Sequence, residues 1–264
     1  MDPRLVTQFM SVAITLLFLT IAAFFDMKTR EVPDKVWAAY APIGLALTIF
    51  RTFLDPSLLI LTLSSIAISF LLGFGLTFFG LSGGADAKAI MCLGLTLPLP
   101  PDISNTVLGF FHPFFPIVVL ITAYVCSLSV AIWMLRRNLV LMSQGAMPFD
   151  GLGKEPRWKK ALALMGGYRA SIERLQQTFY LYPMEKIVED ERGAHRTLEL
   201  FSNPDVDRDQ LVTRFLESLQ KVDMPETVWV TPGLPLLLFI LLAVVIVLVL
   251  GDPLFAILAQ VMPR

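Results

Sequence analysis

Cysteine, histidine and charge are all scarce in this 264-residue chain. Its two cysteines, Cys92 and Cys126, both sit in apolar runs, so neither a disulfide framework nor a thiolate zinc site can be assembled. No metal and no cofactor is expected. Neither sign of charge dominates, since 21 Lys and Arg face 22 Asp and Glu; a formal charge of −1 gives no global field for nucleic acid. Charged residues make up 16% of the chain, against about 25% in ordinary soluble domains. Apolar residues fill the gap, at 55%. Position sharpens the contrast: residues 1–135 hold 13 charges, 136–229 hold 28, and 230–264 hold two. That pattern describes a membrane region, 1–135 and 230–264, interrupted by a soluble insert at 136–229.

Residues 5–25 carry no charge over 21 positions, which as a helix is about 31 Å, the thickness of a bilayer core. The stretch lacks the basic start and small-residue cleavage site of a signal peptide and is expected to be retained. A second span is expected from Val36 to about Leu54, with Arg51 near its end positioned to snorkel. A third follows from residue 56 to about Phe79, where Gly80-Leu81-Ser82-Gly83-Gly84 breaks helix propensity. The apolar segment 89–101 is only 13 residues long and runs into Pro98, Pro100 and Pro101, so a short fourth helix is expected. After His112-Pro113 a fifth span covers 116–135, and a sixth covers 230–251, entered through Pro232 and Pro235. The expected fold class is therefore an α-helical polytopic membrane protein with six transmembrane helices and a small α/β insert between helices five and six. Six spans place 18 Lys and Arg on one side and only Arg4, Arg51 and Arg264 on the other, with both termini. By the positive-inside rule the first side, with the insert, is cytoplasmic and the termini are extracytoplasmic.

Within the insert, Leu162, Met165, Ile172 and Leu175 have helical spacing, as do Leu211, Phe215 and Leu219; Thr178–Tyr182 and Thr197–Phe201 suit strands. Asp205, Asp207 and Asp209 alternate as in a calcium loop, but Gln210 replaces its glycine and Leu216 its closing glutamate, so they are read as acids at a helix start. Gly151-Leu152-Gly153-Lys154 lacks the spacing of a phosphate loop. The run Glu189-Asp190-Glu191 is read first as a solvated face. His112 is assigned to packing and His195 to the insert surface.

Eight acids lie outside the insert, most of them in loops or at termini. Asp26 differs because it closes a 21-residue apolar stretch, and Asp86 differs because it follows 30 uncharged residues and opens the short fourth helix. Both fall at the same end of their helices. Each alone can be an interfacial boundary residue, but two ionisable groups converging at membrane depth make a functional hypothesis. The residues around Asp86, from Ser82 to Ala87, are small enough to admit an extended peptide backbone. Two facing carboxylates share a proton, and such a pair can activate water against a peptide carbonyl without a metal or a nucleophilic side chain.

Asp26, the basic segment that follows it and closes on Val32-Pro33-Asp34, and Gly83-Gly84-Ala85-Asp86-Ala87-Lys88 together resemble the type IV prepilin peptidase family of intramembrane aspartyl proteases, in particular its archaeal preflagellin and prepilin peptidases. The family motif is usually Gly-x-Gly-Asp; here Ala85 precedes the acid, a departure that the archaeal branch tolerates. The resemblance implies Asp26 and Asp86 as the catalytic pair, with Gly83, Gly84 and Lys88 beside the substrate, although Lys88 also fits a snorkelling boundary residue. It implies archaellin or type IV pilin-like precursors as substrates, cut between a short basic cytoplasmic leader and a hydrophobic helix. The bacterial four-cysteine zinc loop has no counterpart, and methyl transfer is not expected. Presenilin-like proteases resemble the chain less, since the Pro-Ala-Leu motif is missing and Thr231–Pro235 is read as a helix-starting device. Two other classes stay open: a cation-coupled transporter using the paired acids, and a non-enzymatic scaffold. The oligomeric state is left open; besides substrate, the lipid bilayer is the only expected partner.

Overall fold

Helix α1 spans Pro3–Thr29, opened by Asp2, whose Oδ1 accepts the Arg4 N–H at 2.9 Å, and by Pro3 at the first helical position. It stops at Arg30, which takes a left-handed conformation (φ 61°) and donates its N–H to the Asp26 carbonyl at 3.2 Å. Val32-Pro33 then turns the chain into α2, Asp34–Leu54, and a 3-10 turn at Pro56–Leu58 leads into α3, Leu59–Phe78. The short helix α4, Gly84–Thr96, follows, and α5 covers Phe115–Ser143. This computed structural model describes every residue except 1, 81, 103–105, 111, 153–154, 191–192, 201–207, 221, 223–224 and 262–264, and the side chains of 190 and 259–261.

Two units emerge, residues 1–127 with 235–264, and residues 128–234. In the first, α4 packs against α1, α2 and α3. Ala87, Ala89, Ile90, Cys92, Leu93, Gly94 and Thr96 are all buried, so protein rather than lipid surrounds this helix. That is why 13 residues suffice here. The non-helical backbone after it is satisfied from within: the Pro98 carbonyl accepts Ser65 Oγ at 2.6 Å and the Phe115 N–H at 3.2 Å. Small and hydroxyl-bearing residues line the buried seams, among them Ser11 and Thr15 on α1, Gly44 and Thr48 on α2, and Ser65 and Ser69 on α3. Such residues let membrane helices approach closely, because lipid offers no hydrophobic drive for their association. A Cβ on Gly94 would collide with the Ser69 side chain, whereas one on Gly75 meets nothing within 4 Å. Gly94→Val is therefore expected to cost about 1–3 kcal/mol, and Gly75→Ala to leave stability level or raise it, as read by thermal unfolding in detergent.

Among the described residues four helices are long and apolar enough to cross a membrane: Pro3–Thr29, Asp34–Leu54, Pro56–Phe78 and Phe115–Ser143. The expected sixth span, 230–251, is divided. Its beginning belongs to strand β5, Thr227–Pro232, and the helix α9, Leu236–Leu250, has 15 residues. An apolar run does not say where strand ends and helix begins. The fifth helix is longer than expected and carries Arg136 and Arg137 within it. The tail forms a further short helix, α10, Pro253–Val261.

In the second unit α6, Arg157–Gly166, and α7, Ile172–Gln177, flank strand β1, Tyr168–Ser171, which falls inside the segment read as one helical face. Strand β2, Leu181–Pro183, and β1 both pair antiparallel with β5, giving the order β1-β5-β2 with Tyr168 opposite Val230 and Tyr182 opposite Thr231. Strands β3, Glu185–Asp190, and β4, Gly193–Leu198, form a separate hairpin. Helix α8, Arg208–Leu219, buries Val212, Phe215 and Leu219, so the expected Phe215 and Leu219 face inward while Val212 takes the place of Leu211. Phe201, Asp205, Asp207, Glu191, Gly153, Lys154 and Arg264 lie outside the described residues.

Candidate active site

The last turn of α1 and the first turn of α4 bring the two aspartates to one end of the first unit. Asp26 has two polar neighbours among the described residues. Its Oδ1 lies 3.9 Å from Nη1 of Arg30, one turn further along. The backbone amide of Leu237 faces the same carboxyl. That amide belongs to the first turn of α9, where N–H groups lack partners inside the helix and the helix dipole favours an anion. The other oxygen, Oδ2, is buried without a hydrogen-bond partner among the described residues.

Asp86 sits three residues past Gly83, and its Oδ2 accepts the Gly83 N–H at 3.1 Å, which caps the start of α4. Its carboxyl lies within electrostatic reach of both Asp26 and Arg30. A Cβ placed on Gly84 would meet nothing within 4 Å, and one on Gly83 would meet only Asp86 Oδ2 at 3.6 Å. Both glycines are exposed, Gly83 beside the Asp86 carboxyl and Gly84 facing open space. Lys88 points elsewhere: its Nζ is 2.6 Å from Oδ1 of Asp34, tying α4 to the start of α2 at an exposed edge.

The remaining polar groups of the region were not visible as a set in the sequence. Arg30 is the one non-glycine residue with positive φ among the described residues, and this conformation lets α1 end directly beside the acid. Tyr124 on α5 is packed against the same apolar cluster as Ala85 and Leu237; its hydroxyl is buried and has no hydrogen-bond partner among the described residues. Ser82 Oγ and Trp37 Nε1 are likewise buried and unpartnered among the described residues. A signal for Tyr124 did exist, since it is the single tyrosine in the uncharged run 103–135. His112 packs between the rings of Phe114 and Phe255, at 5.5 and 5.2 Å, as a packing residue should.

Two family models match the chain. Residues 13–134 fit the Type IV leader peptidase family, and residues 159–253 fit the Archaeal Peptidase A24 C-terminus Type II. The preflagellin peptidase of Methanocaldococcus jannaschii is 28% identical over 251 residues, covering 92% of this chain and 94% of the relative. That of Methanococcus voltae is 27% identical over 252 residues, covering 93% and 97%. That of Methanococcus maripaludis is 27% identical over 241 residues, covering 89% and 92%. Over residues 13–134 the chain is thus similar to the type IV leader peptidase family. It is a protease. The first match contains Asp26, Gly83, Gly84, Asp86 and Tyr124. The second takes in the sheets together with α9, whose Leu237 amide meets Asp26.

Proposed function

We propose that this protease is an aspartyl endopeptidase acting at the cytoplasmic face of the cell membrane, with Asp26 and Asp86 as its catalytic pair. Its substrates are archaellin or type IV pilin-like precursors, from which it removes the short basic leader. The observation that carries the reading is the approach of two carboxyls from separate helices, bordered by glycines that leave room for an extended chain. The names of the relatives supply the substrate class.

The roles of the two acids follow from their neighbours. Arg30 and the Leu237 amide both face Asp26, which suits it to be the ionised member that takes a proton from water. Asp86 is then the member that carries the shared proton and gives it to the scissile carbonyl. Gly83 and Gly84 give the unwound substrate strand space beside Asp86. In the same reading all six apolar helical segments cross the bilayer, α4 and α9 as its two short members, and the region 136–229 faces the cytoplasm with the basic residues that flank the spans. A site at that face meets the junction where a basic leader gives way to a hydrophobic helix.

The test is cleavage of a preflagellin precursor by membranes carrying the full chain, with the product's new N-terminus sequenced. One cut immediately before the hydrophobic helix is expected. Intact precursor across several archaellin and pilin-like substrates, with the protein present and folded, would remove the substrate assignment.

A further inference from the structure

Resting on the aspartyl reading above, we infer that Tyr124 is a third catalytic residue, whose phenol donates a hydrogen bond to the scissile carbonyl oxygen as that oxygen gains charge. Three observations converge on it. Tyr124 and Ala85, the neighbour of Asp86, both pack against one apolar cluster that includes Leu237, whose amide faces Asp26. Its hydroxyl is buried and has no hydrogen-bond partner among the described residues. It also lies within electrostatic reach of Asp86, the acid assigned to protonate that same oxygen.

A buried phenol without a partner is costly in a resting protein, and phenols taken out of water ordinarily find one. The cost is understandable where the partner arrives with the substrate. Ser82 Oγ and Trp37 Nε1, buried and unpartnered among the described residues, repeat the pattern in the segment leading into Asp86 and near the start of α2. Packing α5 against the apolar cluster would be served equally well by phenylalanine, so only the hydroxyl needs the explanation.

In the reaction, the water oxygen bonds to the carbonyl carbon while one of its protons passes to Asp26. The carbonyl π pair moves onto oxygen, which takes the proton of Asp86. On collapse the C–N bond breaks, the departing nitrogen takes the proton held by Asp26, and Asp86 regains its own from the hydroxyl. Tyr124 keeps its proton throughout and only donates to the oxygen on which charge builds. A donor aimed at that position lowers the barrier without tightening ground-state binding.

The experiment compares wild type, Tyr124→Phe and Asp86→Asn as full-length protein in detergent, with a preflagellin precursor as substrate. Tyr124→Phe is expected to lower kcat about 100-fold with KM unchanged, and to melt at the wild-type temperature or above, because it removes an unsatisfied group. A kcat within about threefold of wild type, a rise in KM alone, or a lowered melting temperature would each overturn the inference, the last because the hydroxyl would then be bonded at rest. If Asp86→Asn cuts as fast as wild type, the aspartyl reading itself fails; if Asp86→Asn is dead while Tyr124→Phe is fully active, only the role of Tyr124 falls.

Discussion

Asp26→Asn and Asp86→Asn are each expected to reduce cleavage of a preflagellin precursor by at least about 10³-fold, the upper part of what positioned acid–base groups contribute. An amide is nearly isosteric with a carboxyl but can neither take a proton from water nor hand one to a carbonyl. The variants should therefore keep the fold and lose the chemistry. At position 26 the amide is nearly the same size as the carboxyl it replaces, so the packing of α1 against α9 is kept. At position 86 it can still accept the Gly83 N–H that caps α4. Equal expression in membranes and unchanged melting temperatures would separate catalytic loss from unfolding. If either variant retains wild-type activity, two-aspartate catalysis is wrong for this chain, whatever its substrate.

The second large effect is expected in the sheet-bearing unit. Glu185 is 3% exposed and carries a bidentate pair with Arg196, Nε to Oε2 at 2.8 Å and Nη2 to Oε1 at 3.0 Å. Oε1 also accepts the Trp229 N–H at 2.7 Å, so one carboxylate joins the β3–β4 hairpin to the central strand β5. Removing either partner strands a charge, because the Glu185 side chain is fully buried and that of Arg196 is 10% exposed. Arg196→Ala or Glu185→Ala should thus cost about 3–5 kcal/mol in the stability of this unit. The double variant should cost clearly less than the sum, since it leaves no orphaned charge. Denaturant unfolding followed by limited proteolysis within residues 150–230 would measure it. Additive single losses would mean that the pair is structurally idle.

Much of the membrane unit was legible because the signals are local. A charge-free stretch of the right length predicts a spanning helix, and α1 extends the expected 5–25 by only a few residues at each end. The break after Phe79 and the short helix beyond it follow from glycines and prolines that act on their own backbone. Of the spaced residues Leu211, Phe215 and Leu219, the last two lie on the buried face of α8, where Val212 stands in place of Leu211. Strand β1 was hidden because Leu162, Met165, Ile172 and Leu175 keep helical spacing across it, and those four side chains come from two helices on either side of four extended residues. Strand β5 was hidden because Val228-Trp229-Val230 reads continuously into the apolar helix that follows. In both places pairing with distant strands overrides the local pattern, and pairing is a tertiary property.

The same division holds at the candidate site. The sequence alone singled out Asp26 and Asp86, because an ionisable residue at the end of a long uncharged stretch stands out without reference to any neighbour. It also marked the small residues beside Asp86. Only the tertiary structure decided that Arg30 turns left-handed to meet Asp26, that an amide some 210 residues downstream completes its surroundings, that Lys88 faces Asp34 instead, and that Tyr124 carries a hydroxyl with no partner among the described residues. Solvation and periodicity are written along the chain, whereas the partner of a buried polar group is chosen by whichever helices pack around it.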